Sequence, residues 1–371
     1  MNDTATLDPV KAGKQQFLPL KVTDIQRDTR DSVVLTLCPP QDFAEDFEFI
    51  PGQYLTFRKE INGEEIRRSY SISAGLDDGN LRVGIKKVED GWFSSFANDE
   101  LAVGDTVDAM RPMGNFHVPL LSEGGRNYLA FAGGSGITPM ISIAKTVLSR
   151  EPQSTFILLY GNRSTSSIMF REELEDLKNR FMGRLSITHI LESDAADIEL
   201  FAGRLDKEKC EALFESWIDV KNADFAFICG PEPMMMAVSE SLKEHGLDHK
   251  QIKLELFKSA PRGRFEPKEA SAEDLTKGDV CKATVIMDGV RRTFDMPQKG
   301  QSVLDASRLA NIEAPYACQS GVCSTCRAKV THGEVTMEAN FALEDYEVDR
   351  GYVLTCQSFP ITDEVTIDYD Q

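Results

Sequence analysis

The sequence lacks the features that would indicate a membrane-spanning or nucleic-acid-binding protein. None of its 371 residues belongs to a run near the ~18 consecutive apolar residues that a membrane-spanning helix needs. Basic residues are in the minority, since 41 Lys and Arg face 60 Asp and Glu. The resulting net charge of -19 would repel a polyphosphate backbone. We therefore predict no membrane span and no nucleic-acid partner.

A secretory signal is also missing. The N-terminal stretch MNDTATLDPVKAGKQQ is polar and holds no apolar segment, which a signal peptide requires. In a reducing compartment the eight cysteines are not expected to form a disulfide framework. We therefore predict a cytoplasmic protein whose cysteines serve another purpose.

Length and periodicity predict a multidomain chain. After a polar tail at residues 1–16, short alternating strands separated by Gly, Asp, Asn and Pro predict an antiparallel β-barrel at 17–122. Residues 123–258 alternate apolar strands with helices, which predicts an α/β domain with a parallel sheet. A polar linker at 259–279 then leads to an α+β domain at 280–371, which we expect to open with a hairpin and a short helix.

Four cysteines of the third domain follow a ligand pattern. They stand as C-x4-C-x2-C, then 29 residues and a last cysteine, at Cys318, Cys323, Cys326 and Cys356. This is the spacing of plant-type [2Fe–2S] clusters, and the small residues between the first three let N–H groups point at the sulfurs. Zinc is the alternative, although zinc sites usually pair two C-x2-C units. Cys38, Cys210 and Cys281 follow no pattern and are predicted to be buried.

Two elements of the first domain favour a flavin with its pyrophosphate. The strand end RSYS offers a cation, an aromatic ring and hydroxyls. After IKK, a Gly turn and a serine N-cap in GWFSSF predict a helix whose N–H groups hold phosphate. Each element alone is also typical of an ordinary surface strand or turn. The candidate residues are Arg68, Ser69, Tyr70, Ser71, Ile85, Lys86, Ser94 and Ser95.

Two turns of the second domain favour a dinucleotide. Both GGSGITP and CGP follow apolar strands, so both lie at the carboxyl edge of the predicted sheet and face one crevice. A glycine-rich turn can also be purely structural, and the spacing differs from G-x-G-x-x-G. The candidate residues are Gly133, Gly134, Ser135, Gly136, Ile137, Thr138, Pro139, Cys229, Gly230 and Pro231.

The loops after the next two strands bear on the choice of nucleotide. Arg163, Ser164 and Ser166 favour NADPH, because a cation accommodates a 2′-phosphate, whereas Glu192 and Asp194 favour the ribose hydroxyls of NADH. We therefore write the expected nucleotide as NADPH or NADH.

The order of the motifs P-G-Q-Y, R-S-Y-S, G-x-x-S, GGSGITP and CGP resembles the ferredoxin-NADP reductase superfamily, and the cysteine-rich end resembles plant-type ferredoxin. The resemblance covers nearly the whole chain. The runs YGNR and IMFR look most like the reductase subunit of phenylacetyl-CoA epoxidase, and related reductases serve other oxygenases. The chain is thus expected to pass electrons from NAD(P)H to a terminal oxygenase, with a hybrid-cluster protein reductase and a non-turnover redox sensor as alternatives.

The resemblance also implies cofactors and residue roles. FAD would contact Arg68, Tyr70 and Ser71, with its second phosphate contact at Ser94 and Ser95, and the [2Fe–2S] cluster would take the four patterned cysteines. The nicotinamide nucleotide would lie against residues 134–139 and 229–231. The expected catalytic residues are Ser71, Cys229 and Glu255.

Two features near the domain ends leave alternatives open. Glu255 either bonds near Cys229 or is a solvated strand-end carboxylate. Family members of the plant type end in an aromatic residue stacked on the flavin, whereas this chain continues past Phe257, which either covers the flavin or packs in the core. Residues 337–371 hold nine acidic side chains and one base, which suits docking to a basic protein surface.

Overall fold

The computed structural model describes residues 17–194, 198–257, 267 and 280–371. The predicted tail and nearly all of the predicted linker lie outside the described residues. Within the described part, no helix is long and apolar enough to cross a membrane.

The first domain is a closed antiparallel sheet. Its strands run in the order β4-β3-β6-β1-β2-β5. A backbone bridge from Ile72 to Val83 joins the two edge strands, so the sheet closes and the predicted barrel is confirmed. Strand β1 alternates buried and exposed side chains at its start, as a half-buried strand must. The elements are β1 (Leu18–Thr29), β2 (Ser32–Cys38), β3 (Tyr54–Ile61), β4 (Glu64–Ser71), β5 (Leu81–Lys86), α1 (Trp92–Asp99) and β6 (Thr106–Ala109).

The second domain is a parallel sheet between helices, as predicted. Its strands are β7 (Asn127–Gly133), β8 (Thr155–Asn162), β9 (Leu185–Leu191), β10 (Phe225–Gly230) and β11 (Ile252–Leu256). Its helices are α2 (Ile137–Arg150), α3 (Arg171–Arg180), α4 (Lys207–Ser216) and α5 (Glu232–Glu244). The order β11-β10-β7-β8-β9 reverses direction between β7 and β10, and such a switch point opens a crevice at the carboxyl edge.

Helix α4 was not predicted. Its apolar residues Cys210, Leu213 and Phe214 are spaced as i, i+3 and i+4 and are buried against the sheet, but charged residues surround them in the sequence. This short apolar stripe is the sequence pattern that could have predicted helix α4.

The third domain combines a mixed sheet with short helices. The main sheet has the order β13-β12-β18-β14-β16, and β12 pairs with β18 in parallel. The predicted hairpin is confirmed, since Asp288 and Gly289 turn at φ 51° and 72°. The predicted helix is confirmed too, with Ser302 as its N-cap. The elements are β12 (Val280–Met287), β13 (Val290–Pro297), α6 (Val303–Leu309), β14 (Arg327–His332), β15 (Val335–Met337), α7 (Asp345–Asp349), β16 (Tyr352–Leu354), β17 (Ser358–Pro360) and β18 (Glu364–Asp368).

The third domain packs against both of the others. On the barrel side, the buried guanidinium of Arg67 lies 4.0 Å from the ring centroid of Tyr316, a cation–π contact. On the nucleotide-domain side, Lys253 Nζ lies 3.0 Å from Glu344 Oε1. The cysteine-rich loop is thereby held between the two other domains.

Candidate functional site

A cavity lies where the three domains meet. Its wall combines the end of β4, the end of β11 and the cysteine-rich loop. Among the lining residues are Arg68, Ser69, Ser71, Glu255, Phe257, Cys318 and Cys323. Residues predicted to bind a flavin and residues predicted to bind iron therefore share one cavity.

Two of the three predicted catalytic residues, Ser71 and Glu255, line this cavity, and the third, Cys229, lies beside Glu255 on the neighbouring strand. Ser71 Oγ donates to Glu255 Oε2 at 3.3 Å, and Glu255 is the register partner of Cys229 on the neighbouring strand. Burial raises the pKa of Glu255 to about 8, an effect that the Ser71 hydroxyl opposes. Burial also raises the pKa of the Cys229 thiol, and the Glu255 carboxylate adds to this rise. Glu255 is thus a hydrogen-bonded, partly buried carboxyl group and not a solvated one.

Phe257 lies at the edge of the same cavity. Its side chain is 40% exposed, so the interpretation of Phe257 as a core residue is wrong. Its ring borders the space that Ser71 and Glu255 face.

Arg68 and Tyr70 occupy different surroundings. The Arg68 side chain lines the cavity and its Nη1 donates to the Arg67 carbonyl oxygen at 2.7 Å. Tyr70 packs towards α1, with its ring centroid 5.6 Å from that of Phe93, and burial raises the pKa of its phenol. The two side chains therefore present a cation at the cavity and an aromatic ring beside α1.

Helix α1 begins differently from the prediction. Gly91 is its N-cap, so the predicted serine N-cap is wrong. The Ser94 hydroxyl is buried in the turn, where it donates to the Gly91 carbonyl oxygen at 3.0 Å and accepts from Val88 N at 3.2 Å. Ser95 is partly exposed. Since no described side chain caps α1, its first N–H groups are suited to an anion.

The neighbouring candidates Ile85 and Lys86 lie at the end of β5. Ile85 is fully buried in the barrel core, and its carbonyl oxygen accepts from Asn98 Nδ2 at 3.2 Å. Lys86 Nζ lies 3.8 Å from Asp31 Oδ2. Ile85 therefore supports the barrel, and Lys86 supplies a surface cation.

The two predicted nucleotide turns touch each other at the switch point. A Cβ on Gly133 would lie 2.6 Å from Pro231 Cδ, and one on Gly136 would overlap the Cys229 carbonyl oxygen. Gly134 turns at φ 53°, and nothing lies within 4 Å of its Cβ position. Helix α2 then begins after Gly136 without a described side-chain cap. The open backbone and the uncapped helix start fit a pyrophosphate.

Replacing Gly136 with alanine is expected to damage this crevice. The added Cβ meets backbone, which cannot move without shifting β10. We therefore expect the protein to lose about 1–3 kcal/mol of stability and to bind NAD(P)H more weakly. Thermal unfolding and a nucleotide titration would measure both effects. Gly161→Ala is the control, because its Cβ would lie 3.5 Å from Leu205 in ordinary contact. Equal losses in the two variants would contradict the close approach at Gly136.

The residues predicted to distinguish NADPH from NADH lie in the loops after β8 and β9. Arg163 is exposed, and Ser164 opens a turn in which it exchanges capping hydrogen bonds with Ser167. Asp194 accepts from Thr165 N and Oγ1, each at 2.5 Å, and these bonds hold the pKa of Asp194 below its usual range. The structure therefore brings the NADPH-favouring and NADH-favouring residues to one place.

The four patterned cysteines form one contact group. The sulfurs of Cys318 and Cys323 are 3.1 Å apart, and Cys356 shares hydrogen bonds with Cys318 and Cys326. The thiols of Cys323 and Cys356, with the N–H groups of Ser320 and Val322, hold the pKa of Cys318 far below its usual range. The sulfurs converge at one place in the loop, as the ligands of an iron–sulfur cluster must, so these residues fit the expected cluster.

Two of the three cysteines that follow no pattern agree with the prediction. Cys210 and Cys281 are buried, as predicted, whereas Cys38 is exposed at the end of β2. Burial was therefore the wrong prediction for Cys38.

The sequence matches three known domain families in series. Residues 19–118 match the family described as oxidoreductase FAD-binding domain, residues 131–240 the oxidoreductase NAD-binding domain, and residues 285–360 the 2Fe-2S iron-sulfur cluster binding domain. FAD, a nicotinamide nucleotide and a [2Fe–2S] cluster are therefore the cofactors of this chain.

Full-length relatives have the same organisation. The chain is 41% identical to a subunit of 1,2-phenylacetyl-CoA epoxidase of Escherichia coli, over 95% of this chain and 98% of the relative. It is 32% identical to the ferredoxin reductase component of 3-ketosteroid-9-alpha-monooxygenase of Rhodococcus rhodochrous, over 94% and 96%. Phthalate dioxygenase reductase shares the fold, with a TM-score of 0.55 at 23% identity over 95% of this chain and 98% of that chain.

Proposed function

Because this chain belongs to the family of FAD-, NAD(P)- and [2Fe–2S]-dependent reductase components of oxygenases, we propose that it delivers electrons from NAD(P)H to a terminal oxygenase through the shared cavity. The observation that carries this path is that Ser71 and Glu255 line the same cavity as Cys318 and Cys323. Bound FAD would supply the exchange between a two-electron hydride donor and a one-electron acceptor.

Each binding role falls to a separate part of the site. Arg68 and the uncapped start of α1 hold the pyrophosphate of FAD, and the turns at Gly134 and Gly230 hold the nicotinamide nucleotide. Ser71 and Glu255 would border the place of hydride transfer, and Cys229 lies beside Glu255 on the neighbouring strand. Burial raises the pKa of Glu255 to about 8, which favours the neutral form of this carboxyl group at neutral pH.

The partner is proposed to be an oxygenase of the same kind as phenylacetyl-CoA epoxidase. The 41% identity to the epoxidase component is higher than the 32% identity to the ketosteroid system, and it extends over nearly the whole of both chains. We place the protein in the cytoplasm, because NAD(P)H and a thiolate-bound cluster both suit a reducing compartment.

An anaerobic titration tests the electron path. Purified protein is titrated with NADPH and then with NADH, while flavin bleaching near 450 nm and cluster absorbance are followed. Reduction of both chromophores by stoichiometric nucleotide, together with steady turnover on cytochrome c, would support the proposal. Bleaching without turnover would instead favour a redox sensor, and no bleaching would contradict the reductase function.

Replacing Arg163 with alanine is expected to weaken the binding of NADPH but not that of NADH. An exposed guanidinium beside Ser164 suits a 2′-phosphate, so we expect the KM for NADPH to rise about tenfold while the KM for NADH changes little. Steady-state kinetics with both nucleotides would measure this. Arg180→Ala, which removes an exposed cation from the end of α3, is the control. Equal effects on both nucleotides would contradict the assignment.

A further inference from the structure

The Tyr54 phenol connects the barrel to the cysteine-rich loop. Tyr54 lies at the start of β3, and its Oη accepts from Ser324 N at 3.0 Å. The same oxygen lies 3.1 Å from Ser324 Oγ and 3.3 Å from Thr325 Oγ1. One barrel side chain thus meets the two residues between Cys323 and Cys326.

This contact is in the interior of the protein. Tyr54 is 5% exposed and belongs to the same packed cluster as Cys318, Val322 and Cys323. Its hydrogen bonds are therefore shielded from water. In such a buried place, the loss of one partner leaves the other polar group unsatisfied.

Tyr54 also lies beside the proposed flavin site. In the antiparallel pair β3–β4, Tyr54 is directly opposite Ser71. Ser71 in turn donates to Glu255, and all three residues line the cavity. Tyr54 therefore lies next to Ser71 on the barrel side and contacts the cysteine-rich loop at Ser324.

The hydroxyl next to Tyr54 reaches a predicted iron ligand. Thr325 Oγ1 lies 3.3 Å from Cys323 Sγ. A cluster-bound sulfur carries no proton, so this hydroxyl would donate to it. Hydrogen bonds to cluster sulfurs stabilise the reduced state, and their supporting groups orient them.

We propose that Tyr54 is a positioning residue for electron transfer from flavin to cluster. It holds the cysteine-rich loop against the cavity and orients the Thr325 hydroxyl towards Cys323 Sγ. With both cofactors bound, one electron at a time would leave the reduced flavin and enter the cluster, and Tyr54 would take part only through its hydrogen bonds. This inference rests on the proposed function, since it assumes that the flavin reduces the cluster within one chain.

Tyr54→Phe in the loaded protein tests the proposal. The ring remains, and only the hydroxyl is lost. We expect flavin-to-cluster transfer after mixing with NADPH to slow about tenfold, as for other groups that support metal ligands. An EPR-monitored redox titration should show a more negative cluster potential. Tyr128→Phe is the control, because it removes a phenol that bonds Glu151 in the nucleotide domain, and it should alter neither reading.

A second variant separates orientation from packing. If Tyr54 acts through Thr325, the double variant Tyr54→Phe/Thr325→Ala should have the same cluster potential as Thr325→Ala alone. Additive shifts, or a Tyr54→Phe protein with wild-type potential and transfer rate, would overturn the proposal. If the wild-type flavin does not reduce the cluster, the proposed function itself fails, so the two failures are distinguishable.

Discussion

Replacing Cys356 with serine is expected to remove the [2Fe–2S] cluster and with it electron delivery to one-electron acceptors. Twenty-nine residues separate Cys356 from Cys326 in sequence, yet Cys356 shares hydrogen bonds with Cys318 and Cys326. Without its thiolate the iron lacks a fourth sulfur ligand. We expect cytochrome c reduction to fall about a hundredfold or more, while NADPH still bleaches the flavin. Absorbance and EPR spectra would report the cluster directly.

Cys281→Ala provides the matched control for this result. Cys281 is also buried and lies in the same domain, on β12, but it is outside the ligand group. It should keep the cluster spectrum. If Cys281→Ala also lost the cluster, the loss in Cys356→Ser would reflect folding, and if Cys356→Ser kept a [2Fe–2S] spectrum, the ligand assignment would be wrong.

Hydride transfer is expected to slow as pH rises through about 8, and Glu255→Gln should remove this dependence. Burial raises the Glu255 pKa to about 8, so the group is neutral below that pH and negative above it. Hydride adds negative charge to the flavin, which a nearby carboxylate opposes. We expect the wild-type rate of flavin bleaching to fall about tenfold from pH 7 to pH 9. The glutamine variant should show a flat profile in the same stopped-flow measurement.

The same group should affect stability with a defined sign. Because the folded pKa lies above the ordinary value of 4.5, the folded state binds the proton more tightly than the unfolded state. The stabilisation is complete below about pH 4.5 and is lost as pH rises through about 8. The melting temperature of the wild-type protein should therefore fall relative to that of Glu255→Gln as the pH rises across this window. Glu100→Gln, at an exposed position after α1, is the control, and its stability should change with pH as that of the wild type does. If the stability difference between the wild type and Glu255→Gln did not change with pH, the raised pKa would be contradicted.

Local patterns predicted most of the architecture. The alternation of apolar residues indicated the barrel and the parallel sheet, and Asp288 and Gly289 indicated a hairpin because both adopt positive φ without much strain. The cysteine spacing was equally local in character, and the structure brings the four side chains together.

Contacts between distant segments were not accessible in this way. Tyr54 and Ser324 are 270 residues apart, and Ser71 and Glu255 are 184 apart, so no periodicity relates them. Local competition misled the prediction at Ser94, whose hydroxyl bonds back to Gly91 and leaves the N-cap position to the glycine. Cys38 is exposed because it ends its strand at the margin of the barrel.

The acidic end of the chain also has contacts that composition did not reveal. Glu344 pairs with Lys253, and Glu347 accepts from Asn115 and pairs with Arg327. Part of the negative charge that we predicted to serve partner docking therefore holds the third domain in place. Its contacts are with the nucleotide domain at Lys253 and with the end of the barrel domain at Asn115.

The shared cavity has a consequence for how the protein responds to dilution. Flavin-site residues and cluster ligands belong to one chain, so their encounter does not depend on protein concentration. Two modules on one chain meet at an effective concentration on the order of millimolar, far above that of separate reductase and ferredoxin proteins at micromolar levels. Internal electron passage would thus proceed at the same rate in nanomolar and micromolar solutions. Only the final delivery to the oxygenase would vary with concentration.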